Sequence, residues 1–275
     1  MSAVPVPDWV ARTRAIACAP ALQPREALYV AGQVVGSVQR GLLPDLGLDN
    51  LRAMGIDIAA RSAAGETSWW LQAEAGDGAT LALLNRLAQV LRADGRCGPW
   101  RDEQLAVRNP EGERIATVER GAVRVLGIAT QAVHLVGVAP DGRLWVQQRA
   151  ADKAMFPNRW DTLMGGMVSA DDSLDTALAR ETWEEAGLRL AALQGLRYGG
   201  FFDLVQPSDE GDGCGYIHER IHWYVAAVPD GVAPDNQDGE VQGFALLPTE
   251  QVQAWASEEK FTPEAALVWA GYWGW

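Results

Sequence analysis

The chain has 275 residues, 48% of them apolar and 21% charged, which supports a sizeable core in one large or two modest domains and excludes intrinsic disorder. Its 23 basic and 36 acidic side chains leave a net charge of −13, so it is a poor general binder of nucleic acid or of an anionic membrane. It has no membrane-length apolar stretch and no basic start followed by an apolar core, and Cys18, Cys97 and Cys214 are too scattered for a disulfide scaffold or a thiolate zinc cluster, so a cytoplasmic chain is expected.

The charge is unevenly divided. Residues 1–120 carry 13 basic and 14 acidic side chains, whereas residues 121–275 carry 10 and 22. An acidic half is by default a solvated surface, unless its carboxylates are gathered to hold a divalent cation.

In chain order, Ala27–Val38 is rich in β-branched residues and glycine and predicts a strand or hairpin. Leu81–Ala93 has the apolar spacing of a helix at Leu84, Leu87, Val90 and Leu91. Gln104–Val107 and Arg114–Val118 flank Asn109-Pro110-Glu111-Gly112 and read as a hairpin. Ala132–Val138 and Leu144–Gln148 are two strands joined through Pro140-Asp141-Gly142. Gly165-Gly166 reads as a turn ahead of a helix over Ser173–Ala186, with Asp172 or Ser173 as N-cap and Gly187 beyond its end. Strands are expected at Arg197–Leu204, Ile217–Val228 and Val241–Leu246, then helices at Thr249–Ala256 and Pro263–Trp269.

The helix Ser173–Ala186 carries the chemistry. Leu174, Ala177 and Leu178 form an apolar stripe, and Glu181, Glu184 and Glu185 continue it at spacings that share one face. Like charges so placed repel, and facing the protein body adds desolvation, so a bound divalent cation relieves both. An isolated ExxEE is more often a solvated helix end.

The surrounding residues reverse that judgement. Gly166, Arg180, Glu181, Glu184, Glu185, Gly187 and Leu188 match, at the right spacing, a pattern that resembles the Nudix box, GX5EX7REUXEEXGU. Asp172 stands where the pattern has Glu, and Thr182 where it has an aliphatic residue. The lead-in Gln148-Arg149, Lys153, Pro157, Trp160-Asp161 fits as well. Pro99 to Glu103, Asp238 to Phe244 and Phe261-Thr262-Pro263 resemble a subgroup with an extra N-terminal domain, related to the Nudix part fused to some fungal thiamine pyrophosphokinases.

The resemblance implies an α/β/α sandwich over residues 123–275, a mixed sheet between helices, with a smaller α+β domain over residues 1–122 that shapes the substrate pocket or a dimer interface. It implies Mg²⁺- or Mn²⁺-dependent hydrolysis of a diphosphate, with thiamine diphosphate or its oxidised analogues as the sharper substrate. Glu181, Glu184 and Glu185, joined by a backbone carbonyl at Gly166, would hold the metal. One of these glutamates, or Glu240 from a later loop, would be the general base, with Glu219 a weaker candidate. Arg180 and Asp172 would orient the site. Arg149, Lys153 and Arg159 are phosphate candidates. Trp160, Trp223, Phe201 and Phe202 could line an aromatic pocket, although core packing is the default for most of the 12 tryptophans. His134 is expected to be packed, and His218 and His222 have no metal-ligand spacing. The expected partners are a small diphosphate and a second copy in a homodimer, not nucleic acid or membrane. Three rival readings are an ADP-ribose or dinucleotide pyrophosphatase, with Pro207 a faint echo; an isopentenyl diphosphate isomerase, disfavoured because Trp160–Met167 lacks cysteine; and a binding module without turnover.

Overall fold

The computed structural model describes residues 6–72 and 78–275. After helix α1 (Asp8–Ala17), the first half builds a four-stranded sheet in the order β2-β1-β4-β3 from β1 (Arg25–Val30), β2 (Gln33–Gln39), β3 (Ile58–Ala63) and β4 (Glu66–Leu71). The apolar run Ala27–Val38 is a hairpin, because Ala31 and Gly32 take positive φ and turn the chain. Short helices α2 (Leu42–Asp45) and α3 (Leu48–Ala53) lie between β2 and β3. Helix α4 (Ala79–Ala93) buries Leu84, Leu87, Ala88 and Leu91 at helical spacing and packs on the hairpin of β5 (Gln104–Arg108) and β6 (Arg114–Glu119). A single turn, α5 (Arg120–Val123), follows.

The second half is a mixed sheet in the order β11-β12-β7-β8-β13: β7 (Thr130–Val138), β8 (Leu144–Arg149), β11 (Gln194–Ser208), β12 (Gly215–Ala227) and β13 (Val241–Leu247). Two short strands, β9 (Trp160–Asp161) and β10 (Met164–Met167), pair with β8 and β7. Strand β7 runs parallel to β12 and is almost continuously buried, as expected where helices cover both faces. Val133 and Leu135 pack with Leu178 of α6 (Leu174–Ala186), while Ala132 and Val136 pack with Val252 of α7 (Thr249–Ser257) and Val268 of α8 (Pro263–Tyr272). This is an α/β/α sandwich with a further α+β unit before it. Strand β11 is an edge strand, which is why Pro207 is tolerated without a backbone N–H.

Two features cross between the halves. Trp9 and Val10 of α1 belong to the core beneath α8, so the first helix packs with the C-terminal sandwich. Val123, Val125, Leu126 and Ile128 belong to the core of the first half.

Candidate active site

Helix α6 is fixed at both ends. Ser173 Oγ accepts from the Thr176 N–H and Thr176 Oγ1 accepts from the Ser173 N–H, a reciprocal cap that leaves Asp172 free for other work. Gly187 closes the helix at φ 62°, where a Cβ would come within 2.4 Å of the Asp235 carbonyl oxygen. Thr182 is fully buried, and its hydroxyl donates to the Leu178 carbonyl at 2.6 Å, so a polar residue at this apolar position leaves nothing unsatisfied.

Asp172, although one methylene shorter than Glu, reaches Arg180. Its Oδ2 accepts from Arg180 Nε at 3.0 Å and from Nη2 at 2.7 Å, and this pairing outweighs burial and keeps its pKa low. Arg180 Nη1 donates to Glu181 at 2.9 Å and to Glu184 at 3.0 Å, while Nη2 reaches the Met167 carbonyl. Arg180 thus bridges Asp172, Glu181 and Glu184. The same contact draws Glu184 to the helix surface, where its side chain is 40% exposed.

Gly165 and Gly166 lie within β10 and pair with His134 and Val133, so the expected turn is a strand. The absence of side chains there is needed. A Cβ on Gly166 would fall 2.0 Å from Glu181 Cδ, and one on Gly165 would fall 2.4 Å from the His134 ring. Gly166→Ala should therefore displace Glu181 and lower turnover by about 100-fold, as misplacement by about an ångström can. Steady-state kinetics with circular dichroism would check this, and wild-type turnover would show that Glu181 can shift without loss.

Glu185 is 2% exposed, and its Oε2 accepts from Gln147 Nε2 at 2.8 Å and from the Gly165 N–H at 3.0 Å. Burial exceeds the help from these donors and pushes its pKa up to about 7. Burial, then the charge of Glu185, pushes Glu181 up to about 8, although Arg180 opposes this. Both carboxylates line a cavity of about 110 Å³ whose other walls carry Lys153, Arg149, Arg120 and Arg124.

The family is legible at this point. Residues 129–265 match the family model described as the NUDIX domain. The second half of this chain is a NUDIX domain. Its matched relatives include proteins named Nudix hydrolases. Nudix hydrolase 24, chloroplastic, from Arabidopsis thaliana is 31% identical over 140 residues, 50% of this chain and 37% of that one. An uncharacterized Nudix hydrolase of Streptomyces coelicolor is 27% identical over 177 residues, 63% of this chain and 90% of its own. The crystal structure of a Deinococcus radiodurans protein superposes with a TM-score of 0.48 at 22% identity, covering 60% of this chain and 96% of that one. The chain thus spans little more than a third of the Arabidopsis relative.

Around the carboxylates of the NUDIX domain, the structure gathers some expected residues and not others. Glu240 lines the cavity and pairs with Lys153, and that contact outweighs burial and holds its pKa low. Glu219 lines it too and accepts from Thr130 Oγ1 at 2.9 Å. Arg149 and Lys153 line it, whereas Arg159 borders a neighbouring cavity. Glu184 does not line it, and among the described residues no group of three His, Cys, Asp or Glu side chains has metal-holding geometry.

The expected aromatic face is elsewhere. Trp160 packs on Trp255 at 4.7 Å between ring centroids, because alternation along β9 sends Asp161, not Trp160, into the cavity. Trp223 is buried against Gly199 and Gly271. Phe201 is exposed beneath the Arg220 guanidinium, and Phe202 packs on the core. His218 lies on β12 and lines none of these cavities, and His222 Nδ1 bonds the Tyr198 hydroxyl at 3.0 Å.

Four contributors were not anticipated as site residues. His134 is buried, as expected of a packed residue, yet it lines the cavity with Asp161 3.4 Å away; burial disfavours its charge, but Asp161 outweighs this and raises its pKa. Glu264 lines the cavity with Oε2 buried and without a partner, and burial raises its pKa. It sits in the first turn of α8 behind the Thr262 cap, so in sequence it reads only as an acid favoured at a helix start. Arg120 and Arg124 arrive from outside the NUDIX domain, on and just after α5.

Proposed function

We propose that this chain hydrolyses the diphosphate linkage of a small organic diphosphate with Mg²⁺ or Mn²⁺, and that thiamine diphosphate or its oxidised analogues are the substrate, released as the monophosphate. The observation that carries this reading is that Glu181 and Glu185 line the same cavity of about 110 Å³ as Lys153, Arg149, Arg120 and Arg124. The carboxylates suit a cation and the basic groups suit phosphate.

The residues fit a metal. The donors are hard oxygens, and Glu181 fills the space that a Cβ on Gly166 would take, so its carboxylate sits against the strand backbone. Glu181 and Glu185 would hold the ion, with Gly166 offering backbone oxygen and with water and substrate phosphate completing the shell. Glu184, paired with Arg180 at 3.0 Å, would be a further ligand only if that pair opened. The ion, when bound, neutralises phosphate charge and lowers the pKa of water. Glu240 is the general base of this reading, and the unpartnered Oε2 of Glu264 favours that residue as the second choice.

A thiazolium cation is favoured by the adjoining cavity of about 750 Å³, where Phe156 and Phe261 border space that also meets Asp209, Glu210 and Glu259. Pro207 lines the same cavity, which leaves ADP-ribose as the alternative. The place in the cytoplasm belongs to this reading and is supported by Cys18, Cys97 and Cys214 being free; among the described residues no helix is long and apolar enough to cross a membrane.

The test is monophosphate release, with Mg²⁺ and with Mn²⁺, from thiamine diphosphate, oxothiamine diphosphate, ADP-ribose, a dinucleotide and nucleoside triphosphates. Preference for the thiamine compounds is expected. Preference for ADP-ribose would discard that substrate and keep the chemistry, and no turnover with metal bound would replace the hydrolase by a binding module.

A further inference from the structure

Three cavities meet at Met155, and the middle one is walled by cationic side chains. Its volume is about 90 Å³, and Arg101, Arg120, Arg124, Arg149 and Lys153 line it against a single carboxylate, Glu210. Arg120, Arg124, Arg149 and Lys153 also border the cavity that holds Glu181 and Glu185. On the other side, Pro99, Ala154, Met155 and Glu210 are shared with the cavity of about 750 Å³, whose surface includes Ile16, Phe156 and Phe261.

So many cations on one small wall repel one another, and the protein neutralises only part of the charge. Glu103 pairs with Arg120 at 2.7 Å, Glu210 with Arg124 at 2.7 Å, Glu240 with Lys153 and, more distantly at 3.8 Å, Asp161 with Arg149. Among the described residues Arg101 has no ion pair, and the buried Nε of Arg149 has no hydrogen-bond partner. A buried donor left without a partner is costly and calls for an acceptor from outside the chain. Guanidinium groups present paired donors that suit phosphate oxygens.

We propose that this wall seats the phosphate that remains attached to the organic group of the substrate. The organic group then occupies the large cavity, and the linkage to be cleaved faces Glu181 and Glu185. The proposal rests on the diphosphatase reading and adds a substrate class: an organic diphosphate whose bulky group carries an aromatic ring. It also gives residues before the NUDIX domain a direct part in recognition, since Arg101, Arg120 and Arg124 all precede residue 129.

The test is calorimetric binding of inorganic phosphate and of phenyl phosphate to the full chain without metal. Arg101→Gln and Arg120→Gln should each weaken phenyl phosphate by about tenfold, the scale of one charge-assisted contact, with circular dichroism unchanged. Phenyl phosphate should bind at least about tenfold more tightly than inorganic phosphate, because its ring enters the large cavity. Arg101 is exposed, so its replacement leaves the core intact and keeps the test meaningful if Arg120→Gln fails to fold. Unchanged affinity in Arg101→Gln, or no advantage for the phenyl compound, would overturn the subsite. If both binding results hold while no diphosphate is hydrolysed, the subsite stands and the hydrolase reading falls. If hydrolysis proceeds in Arg101→Gln with unaltered KM, the subsite falls and the hydrolase reading stands.

Discussion

Glu185→Gln should lower kcat by at least about 100-fold while leaving the fold intact, the scale of a lost metal or acid–base function. The reason for confining the effect to chemistry lies in the two donors around this carboxylate. Gln147 Nε2 and the Gly165 N–H converge on one oxygen, Oε2. A glutamine whose carbonyl oxygen takes that place keeps both hydrogen bonds and loses only the charge. The substitution also removes a buried group whose ionised form is disfavoured by desolvation. The variant should therefore melt no lower than the parent at pH 8. Steady-state kinetics and thermal melting on one preparation would check both halves of this expectation. Wild-type turnover would remove Glu185 from the site, and a collapsed melting temperature would make its role structural.

The second large effect is on stability. In the folded chain the Glu181 and Glu185 carboxyls are raised to about 8 and about 7, well above the ordinary 4.5 that applies once the chain unfolds. Between those values the folded state binds more protons than the unfolded state, so stability falls as pH rises from about 4.5 to about 8. For Glu185 alone the fall is on the order of 3 kcal/mol. His134, with its raised pKa, adds a fall of the same sign above its ordinary range, while His222, with its lowered pKa, opposes it. A divalent cation binding the ionised pair restores what the protons supplied. The metal-free protein should thus melt lower at pH 8 than at pH 5, and Mg²⁺ or Mn²⁺ should raise the melting temperature more at pH 8. Glu185→Gln should make the metal-free profile shallower by removing its own share, while Glu181, raised first by burial, keeps the remainder. A flat profile in the parent, or equal metal shifts at both pH values, would contradict the arrangement.

Much of the site was legible because its chemistry is packed into one contiguous stretch. Gly166 to Leu188 encodes a strand, a capped helix and the carboxylates of one helix face, so spacing alone places Glu181 and Glu185 together. Other residues gave no such signal. Glu264, Arg120 and Arg124 reach the cavity only because α8 and the turn after β6 fold onto its rim. Trp160 and Trp223 are aromatic and near the box in sequence, but strand parity sends Trp160 toward Trp255, and the small residues Gly199 and Gly271 make a slot for Trp223 in the core. Glu184 lies on the expected face yet is held by Arg180 four residues earlier, a contact that competes directly with metal ligation. In the first half, β3 was hidden because most of Ile58–Ala63 is exposed and only Ile58 is buried, so no alternation marks it as a strand.

The first helix has a consequence for how the molecule is made. Trp9 meets Trp275 edge-on at 5.9 Å, and α1 packs against α8. The sandwich is therefore completed by segments from opposite ends of the chain, with the other core folded from what lies between them. During synthesis α1 can meet β11 first, and its larger contact with α8 forms only once that helix has emerged, so part of its apolar face stays open until then. Closing so distant a contact is slow. Truncating the chain at the start of the NUDIX domain would not release an independent unit; it would leave the groove beside Trp269 uncovered and prone to association.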